Sequence, residues 1–504
     1  MSLSGIGNSG TVSAWLSAAA GKGSSTGTLA EQVASAASQA ATASESRVTL
    51  GGAVDTEVVY SRPSRFSRGV AWASPPTDPV SVLMQKNLGA GVADDSAWLE
   101  GLGVAVLDRL ATTPGGFSQT VVSYQQDNAQ SADVARAASA QALAAAGAAL
   151  NRVGLTITTA SGKAVNIAVS FASGGLGGTS SLSVDVQVDG ELSADEQKAV
   201  AQLSSGFQAA LDGLTKVPPE VNLSGLVGYD ASVLSGVDLN VRAMPPLNGE
   251  LESFAFHVDA TQRSFSMESV SGRIALSVDL SQPEILGSAA QQKEALSDYL
   301  AQFDAANRRG HGDAKLIAQF TDAFAQLNSN YPAADELSIP LLSGKDRSVL
   351  SGLADFTASM SGDFTDAAEG RVTTEEGHIE YRASQSTMIF GRDKYSGLTV
   401  SQTQRSSLKS DYVKSRNGAP LDTGSGNYDS YSIRDESSTT TSFSYVKDKL
   451  KSASVERLVK QLESYAKLVD HKVVERRETP RHEATRQDLS AKLLPSYKEE
   501  MQRV

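Results

Sequence analysis

The chain has 504 residues, with 44 Lys and Arg against 57 Asp and Glu, a formal net charge of 44 − 57 = −13. It contains no Cys, which excludes disulfides, thiol catalysis, iron–sulfur clusters and Cys-based zinc sites. The hydrophobic fraction is 40% but aromatics are only 6%, so the core must lean on aliphatic side chains, and the acidic balance opposes nucleic acid and anionic membrane wherever no local basic patch intervenes.

Residues 1–46 are rich in Ser, Ala and Gly and read as a disordered leader, in which only Leu29–Ala41 has helical spacing. The first Lys is Lys22, and Ser and Gly interrupt every apolar run, which predicts no cleavable secretory signal. No window approaches the ~18 consecutive apolar residues of a membrane span. The expected location is therefore the cytoplasm, or outside it by a route that uses no cleavable signal. A Cys-free chain with a Ser-rich start also suits export in an unfolded state.

Residues 47–152 read as a mainly helical region. The short runs RVTLGG and TEVVYSR open it as strands, and SPPTDP (Ser74–Pro79) breaks the chain. Val80, Leu83, Met84 and Leu88 then recur at helical spacing. Asp95 or Ser96 can cap a second helix, striped by Leu99, Leu102, Val106 and Leu110. An Ala-rich stretch at 132–152 predicts a third.

Residues 153–285 read as a β-hairpin/helix α+β domain. Leu155 and Ile157, then Val165, Ile167, Val169 and Phe171, alternate about a turn at Ser161–Gly162–Lys163. Leu182, Val184, Val186 and Val188 mark a third strand. Ser193 and Glu196 fit a capping box opening a helix striped by Val200, Leu203, Phe207 and Leu211. FAFHVDA, SFSMESV and GRIALSVDL continue as strands, with a turn at Ser271–Gly272. Residues 286–365 read as helical, with helices near Gln291–Phe303, Asp313–Leu327 and Asp346–Phe356. Residues 366–470 read as an antiparallel meander closed by a C-terminal helix from about Val446, striped by Leu450, Val455, Leu458, Leu462 and Leu468. Residues 471–504 read as a mobile charged tail. From Lys447 onward 14 basic and 10 acidic residues interleave, the pattern of a solvated helix face and not of a nucleic-acid surface.

The chemistry-bearing motifs are few. Asp185, Gln187, Asp189 and Gly190, with Glu196 at the twelfth place, mimic a calcium loop, and Asp185, Asp189 and Glu196 are its candidate ligands. Alternating Val184, Val186 and Val188 make that segment a strand, however, where an EF-hand needs a helix. Gly21–Ser25 lacks the upstream Gly and preceding strand of a phosphate loop, and Gly101 and Gly103 lie in a helix pattern, where packing explains them. Among five His, His311 beside Asp313 and His378 after Glu376 are the candidate acid–base pairs. No G-x-S-x-G elbow and no H-x-x-x-H pair occurs, so no cofactor or resident metal is expected.

The stretch Gly154–Ala243, with its S-G-K turn, SVDVQVDGELSADEQKAVAQL and VLSGVDLNVRA, resembles a family of uncharacterised bacterial proteins built on a hairpin, an acidic turn and a helix; RVTLGG resembles their first strand. That resemblance implies a bacterial, non-catalytic or export-linked protein and carries over no functional residue. The expected fold is α+β, with antiparallel hairpin and meander units packed against segregated helices, since no β-α-β alternation supports a doubly wound parallel sheet. The expected function is a non-catalytic structural or interaction protein with a protein partner and no nucleic acid, exported or surface-associated. The alternative is a hydrolase or toxin-like effector whose site assembles only in space.

Overall fold

The computed structural model describes residues 66–90, 95–113, 115–127, 130–147, 149–174, 178–331, 341–368 and 372–494. The Ser-rich leader with its Leu29–Ala41 helix, Gly21–Ser25, RVTLGG, TEVVYSR and the last ten residues of the charged tail lie outside them. Among these residues, fifteen antiparallel strands form one open sheet, in the order β1-β2-β5-β4-β3-β6 and then β7 through β15 in sequence. The fold is thus an α+β mixture built on an antiparallel sheet. That sheet runs without a break across the boundaries expected from composition.

The first half of the sheet holds β1 (Phe66–Trp72), β2 (Phe117–Asp127), β3 (Asn151–Thr159), β4 (Ala164–Ala172) and β5 (Ser180–Val188). It continues with β6 (Leu234–Leu247), β7 (Leu251–Asp259), β8 (Gln262–Ser269) and β9 (Gly272–Asp279). Helices α1 (Pro79–Ala90), α2 (Leu102–Thr112), α4 (Ala194–Gln202) and α5 (Ser204–Leu214) pack on one face, over rows such as Val153, Leu155 and Ile157. The capping box at Ser193 and Glu196 forms, but the expected single helix breaks at Leu203 into α4 and α5. The Ala-rich helix α3 (Ala132–Ala146) lies on the opposite face, against Ala71, Val122 and Tyr124. Its small side chains allow that close approach. Strands β1, β2 and β6 were not anticipated. β1 and β2 place sheet inside the region expected to be helical, because a strand such as β2 is buried on both faces over Val121–Tyr124 and loses the alternation that marks a half-wet strand, whereas β6 adds a strand to the expected α+β domain.

After the short helix α6 (Ser224–Val227) and strands β6–β9 come α7 (Ala289–Gly310) and α8 (Ala314–Leu327). They pack on the same face as α1 and α2, around Phe303, whose ring meets those of Phe320 and Phe324 at 4.9 Å and Tyr381 at 5.7 Å. The helix expected at Asp346–Phe356 is only a turn, α9 (Gly344–Ser348), and β10 (Asp355–Ala368) begins where it was to end.

The meander then extends further than the sequence suggests: β11 (Val372–Asp393), β12 (Gly397–Lys414), β13 (Asp429–Val446), β14 (Lys449–Val469) and β15 (Lys472–Asp488), before a short α10 (Ser490–Leu493). The expected C-terminal helix is therefore corrected to β14, and the expected charged tail to the edge strand β15. A Leu stripe at helical spacing forms a docked helix only where an apolar surface receives it. Here the facing rows of β12 carry Gln402, Gln404 and Ser406, while the Ser/Thr-rich edge of β13 offers unpaired backbone along its full length. In β15 every side chain is exposed, and its Lys, Arg and Glu residues and Pro480 are what keep an open sheet edge from pairing with other chains.

Candidate functional site

Residues directly opposite in an antiparallel sheet share a face, so each row can be followed from strand to strand. On the face away from α7 and α8, one row runs Ser266, Ala275, Ser359, Arg382, Ser407, Glu436 and Lys460. The next runs Ser277, Thr357, Ser384, Arg405, Ser438 and Leu458. Short side chains along these rows leave a trough of about 1110 Å³. It reaches from Ser253 on β7 to Lys460 on β14, about 34 Å at ~4.8 Å per strand. Beneath its floor, Ile274, Leu276 and Met360 point the other way into the core, where α8 packs on β9 and β10. The floor is backed by a helix and its own backbone groups are engaged in the sheet ladder, so only side chains can hold a ligand here.

The trough carries four cations, Arg273, Arg382, Arg405 and Lys460, against three carboxylates, Glu268, Glu380 and Glu436. Arg273 is tied to Glu268 at 2.5 Å. The other three cations make no ion pair and no side-chain hydrogen bond among the described residues. Arg382 and Arg405 are diagonal neighbours on β11 and β12, each exposed and flanked by serines. Nothing in the sequence singles them out, because the rows exist only once the register is set.

The expected acid–base pairs are placed differently from their sequence neighbourhood. His311 occupies the left-handed position that ends α7 (φ 60°). Flanking Gly310 and Gly312 let this turn lie on Ile379, whose Cδ1 would be 2.6 Å and 2.9 Å from a Cβ at either position. Asp313 does not meet His311: its carboxylate caps α8, accepting from the Lys315 and Leu316 amides at 2.6 and 3.0 Å. The partner of His311 is instead Glu375, buried on β11, with Nδ1 2.6 Å from Oε1. Lys414 holds the other oxygen at 3.2 Å. The imidazole stacks on Tyr412 at 4.4 Å, and Nε2 lies 3.2 Å from the Tyr412 hydroxyl. Burial, followed by the Glu375 charge, pushes that phenol well above its ordinary range. His378 pairs with Asp363 at 2.6 Å on the opposite face, and Glu376 projects into solvent beside it. Glu375, not Glu376, therefore faces His311, and only the inside–outside alternation of β11 could have told the two apart.

The candidate calcium ligands do not converge. Asp185 lies on the outward face of β5, accepting from Gln187 Nε2 at 2.8 Å, and Asp189 follows the strand. Glu196 points into the α4 cap, accepting from Ser161 Oγ at 2.5 Å, the Ser193 amide at 2.7 Å and Lys163 Nζ at 3.0 Å. The Ser161 hydroxyl, then the Ser193 amide and Lys163, lower its pKa to about 2. Lys163 already supplies the positive charge an ion would bring. Among the described residues no three His, Asp or Glu side chains gather in a way that could hold a metal. Gly103 packs against Phe207 and Gln208, consistent with a packing role. Among the described residues no helix is long and apolar enough to cross a membrane. No protein-family model, curated protein sequence or solved structure matches this chain.

Proposed function

We propose that the protein is a non-catalytic interaction protein that holds an extended polar polymer along the bare face of its sheet. The observation that carries this reading is the trough itself: about 1110 Å³ lined by hydroxyls and unspent charges. It is open along its length, whereas a small-molecule site buries most of its ligand. A hydrolase reading draws on the Glu375–His311–Tyr412 chain. Two facts support a latch there instead: Tyr412 is only 7% exposed, and Lys414 already neutralises Glu375. Such a latch fixes the end of α7 to β11 and β12.

The test is a thermal-shift panel on the full chain with polygalacturonate, dextran, polyglutamate and polylysine, repeated on Ser359→Trp with Ser384→Trp, which fills the floor. The reading expects at least one polymer to raise the melting temperature of the wild type, to lose that effect with the filled trough, and to keep its chain length after incubation. A panel without effect, or an effect that survives the filling, would sink it.

A further inference from the structure

Resting on that reading, the trough's chemistry can be narrowed to one class of ligand. We propose that it binds an acidic polysaccharide, a polymer of sugar rings bearing carboxylates, with Arg382 and Arg405 as the carboxylate-binding pair. Two adjacent guanidiniums stand exposed in a concave surface with no carboxylate partner, and each offers a planar fork that matches a carboxylate. Two like charges on diagonal positions repel each other in the free protein, and an anion bound between them would relieve that repulsion.

The chain as a whole carries −13, yet the trough holds four cations against three carboxylates. The trough is thus one charge positive within an acidic chain, and salt screening over about 8 Å keeps distant carboxylates from acting on it. Charge complementarity therefore selects an anion. The neighbours decide what kind of anion. Ser359, Ser384, Ser407 and Ser438 flank the two arginines in register and both donate and accept. Glu380 and Glu436 make no ion pair or side-chain hydrogen bond among the described residues and are free to accept from the hydroxyls of a ligand. A sugar acid supplies both halves, carboxylates for the arginines and hydroxyls for the glutamates. An acidic peptide supplies carboxylates but places more negative charge beside Glu380 and Glu436. It would also find no free strand edge for its backbone and no apolar pocket for its other side chains.

The experiment is isothermal titration of the full chain with polygalacturonate of defined length at low salt, with dextran and polyglutamate as comparison ligands. The expected result is binding to polygalacturonate that weakens as salt rises, at least tenfold tighter than to polyglutamate and absent with dextran. Arg382→Ser with Arg405→Ser should weaken it at least tenfold, and Arg382→Lys with Arg405→Lys should fall between. Both positions are exposed, so an unchanged melting temperature verifies the fold. No binding to polygalacturonate, equal binding to polyglutamate, or an undiminished affinity in the double serine variant would overturn the assignment. Binding of dextran, or of polyglutamate as tightly as polygalacturonate, that the filled trough abolishes would overturn the acidic-polysaccharide assignment while leaving the broader interaction role standing.

Discussion

Replacing Arg263 by methionine should destabilise the chain by about 2–3 kcal/mol, and the sign of that number is the interesting part. Arg263 sits on β8 in an inward row between Val258 and Val278 and is only 2% exposed. Among the described residues no carboxylate pairs with it. Its Nη1 donates to the Leu327 carbonyl at 2.7 Å and to that of Ser329, and Nη2 donates to the Asn330 carbonyl at 2.7 Å. Leu327 is the last residue of α8 and Ser329 and Asn330 follow its end, so the three carbonyls gather at the negative pole of the helix. The guanidinium also lies 5.6 Å from the Tyr331 ring. Burial depresses its pKa, and a buried unpaired cation costs several kcal/mol. Against that stand three orphaned acceptors in the variant, each costing about 1–3 kcal/mol, and the lost helix-pole attraction of about 1 kcal/mol. The acceptors outweigh the relief. In a chain of this length each kcal/mol moves the melting temperature by less than about 2 °C, so the sharper assay is hydrogen exchange of the 324–331 segment. Exchange there should rise roughly 30- to 150-fold, the same free energy expressed as an opening constant. A methionine variant as protected as the wild type, or more so, would show that the cost of burying the charge exceeds what the three carbonyls return, and the reasoning would fail.

Two further outcomes follow from the edge strand and the α4 cap. Glu196 is held at about 2 in the folded chain against an ordinary 4.5, so its contribution is complete above about pH 4.5 and fades as pH falls toward 2. The melting-temperature advantage of wild type over Glu196→Gln should shrink over that interval and stay flat from pH 5 to 8; an advantage unchanged at pH 2.5 would refute the assignment. Pro480→Val restores a backbone N–H on the exposed edge strand β15 and should raise light scattering at fixed concentration, whereas identical scattering would mean that the charged side chains alone guard the edge.

Local pattern was legible where one face of an element is wet. The hairpin about Ser161–Gly162–Lys163, the Ser193–Glu196 cap, and the helices at 289–310 and 314–327 all carry their period in the sequence. The C-terminal 449–488 segment was not legible, because Leu450, Leu458 and Leu462 at helical spacing describe a helix that has no apolar surface to receive it, whereas the edge of β13 offers a partner for each backbone group. That competition is decided by tertiary pairing, and no single-segment pattern contains it.

The same limit explains why the trough stayed hidden while the histidines drew attention. His311 and His378 stand out by residue type, yet each spends its imidazole on one acid, Glu375 or Asp363. Arg382 and Arg405 are unremarkable by type, lying 23 residues apart along the chain (405 − 382), and they become neighbours only because β11 and β12 pair Arg382 with Ser407 and Ser384 with Arg405. A shift of β11 by one residue against β12 would turn Arg382 toward the core beneath α7, bring Tyr381 and Ala383 out in its place, and leave Arg405 alone on the outward face. The buried row Ile379, Tyr381 and Ala383 therefore does more than stabilise the fold. By fixing which residues of β11 face inward, it fixes which charges meet on the outward side, so packing against Phe303 and Phe320 sets the spacing of the proposed ligand-binding pair.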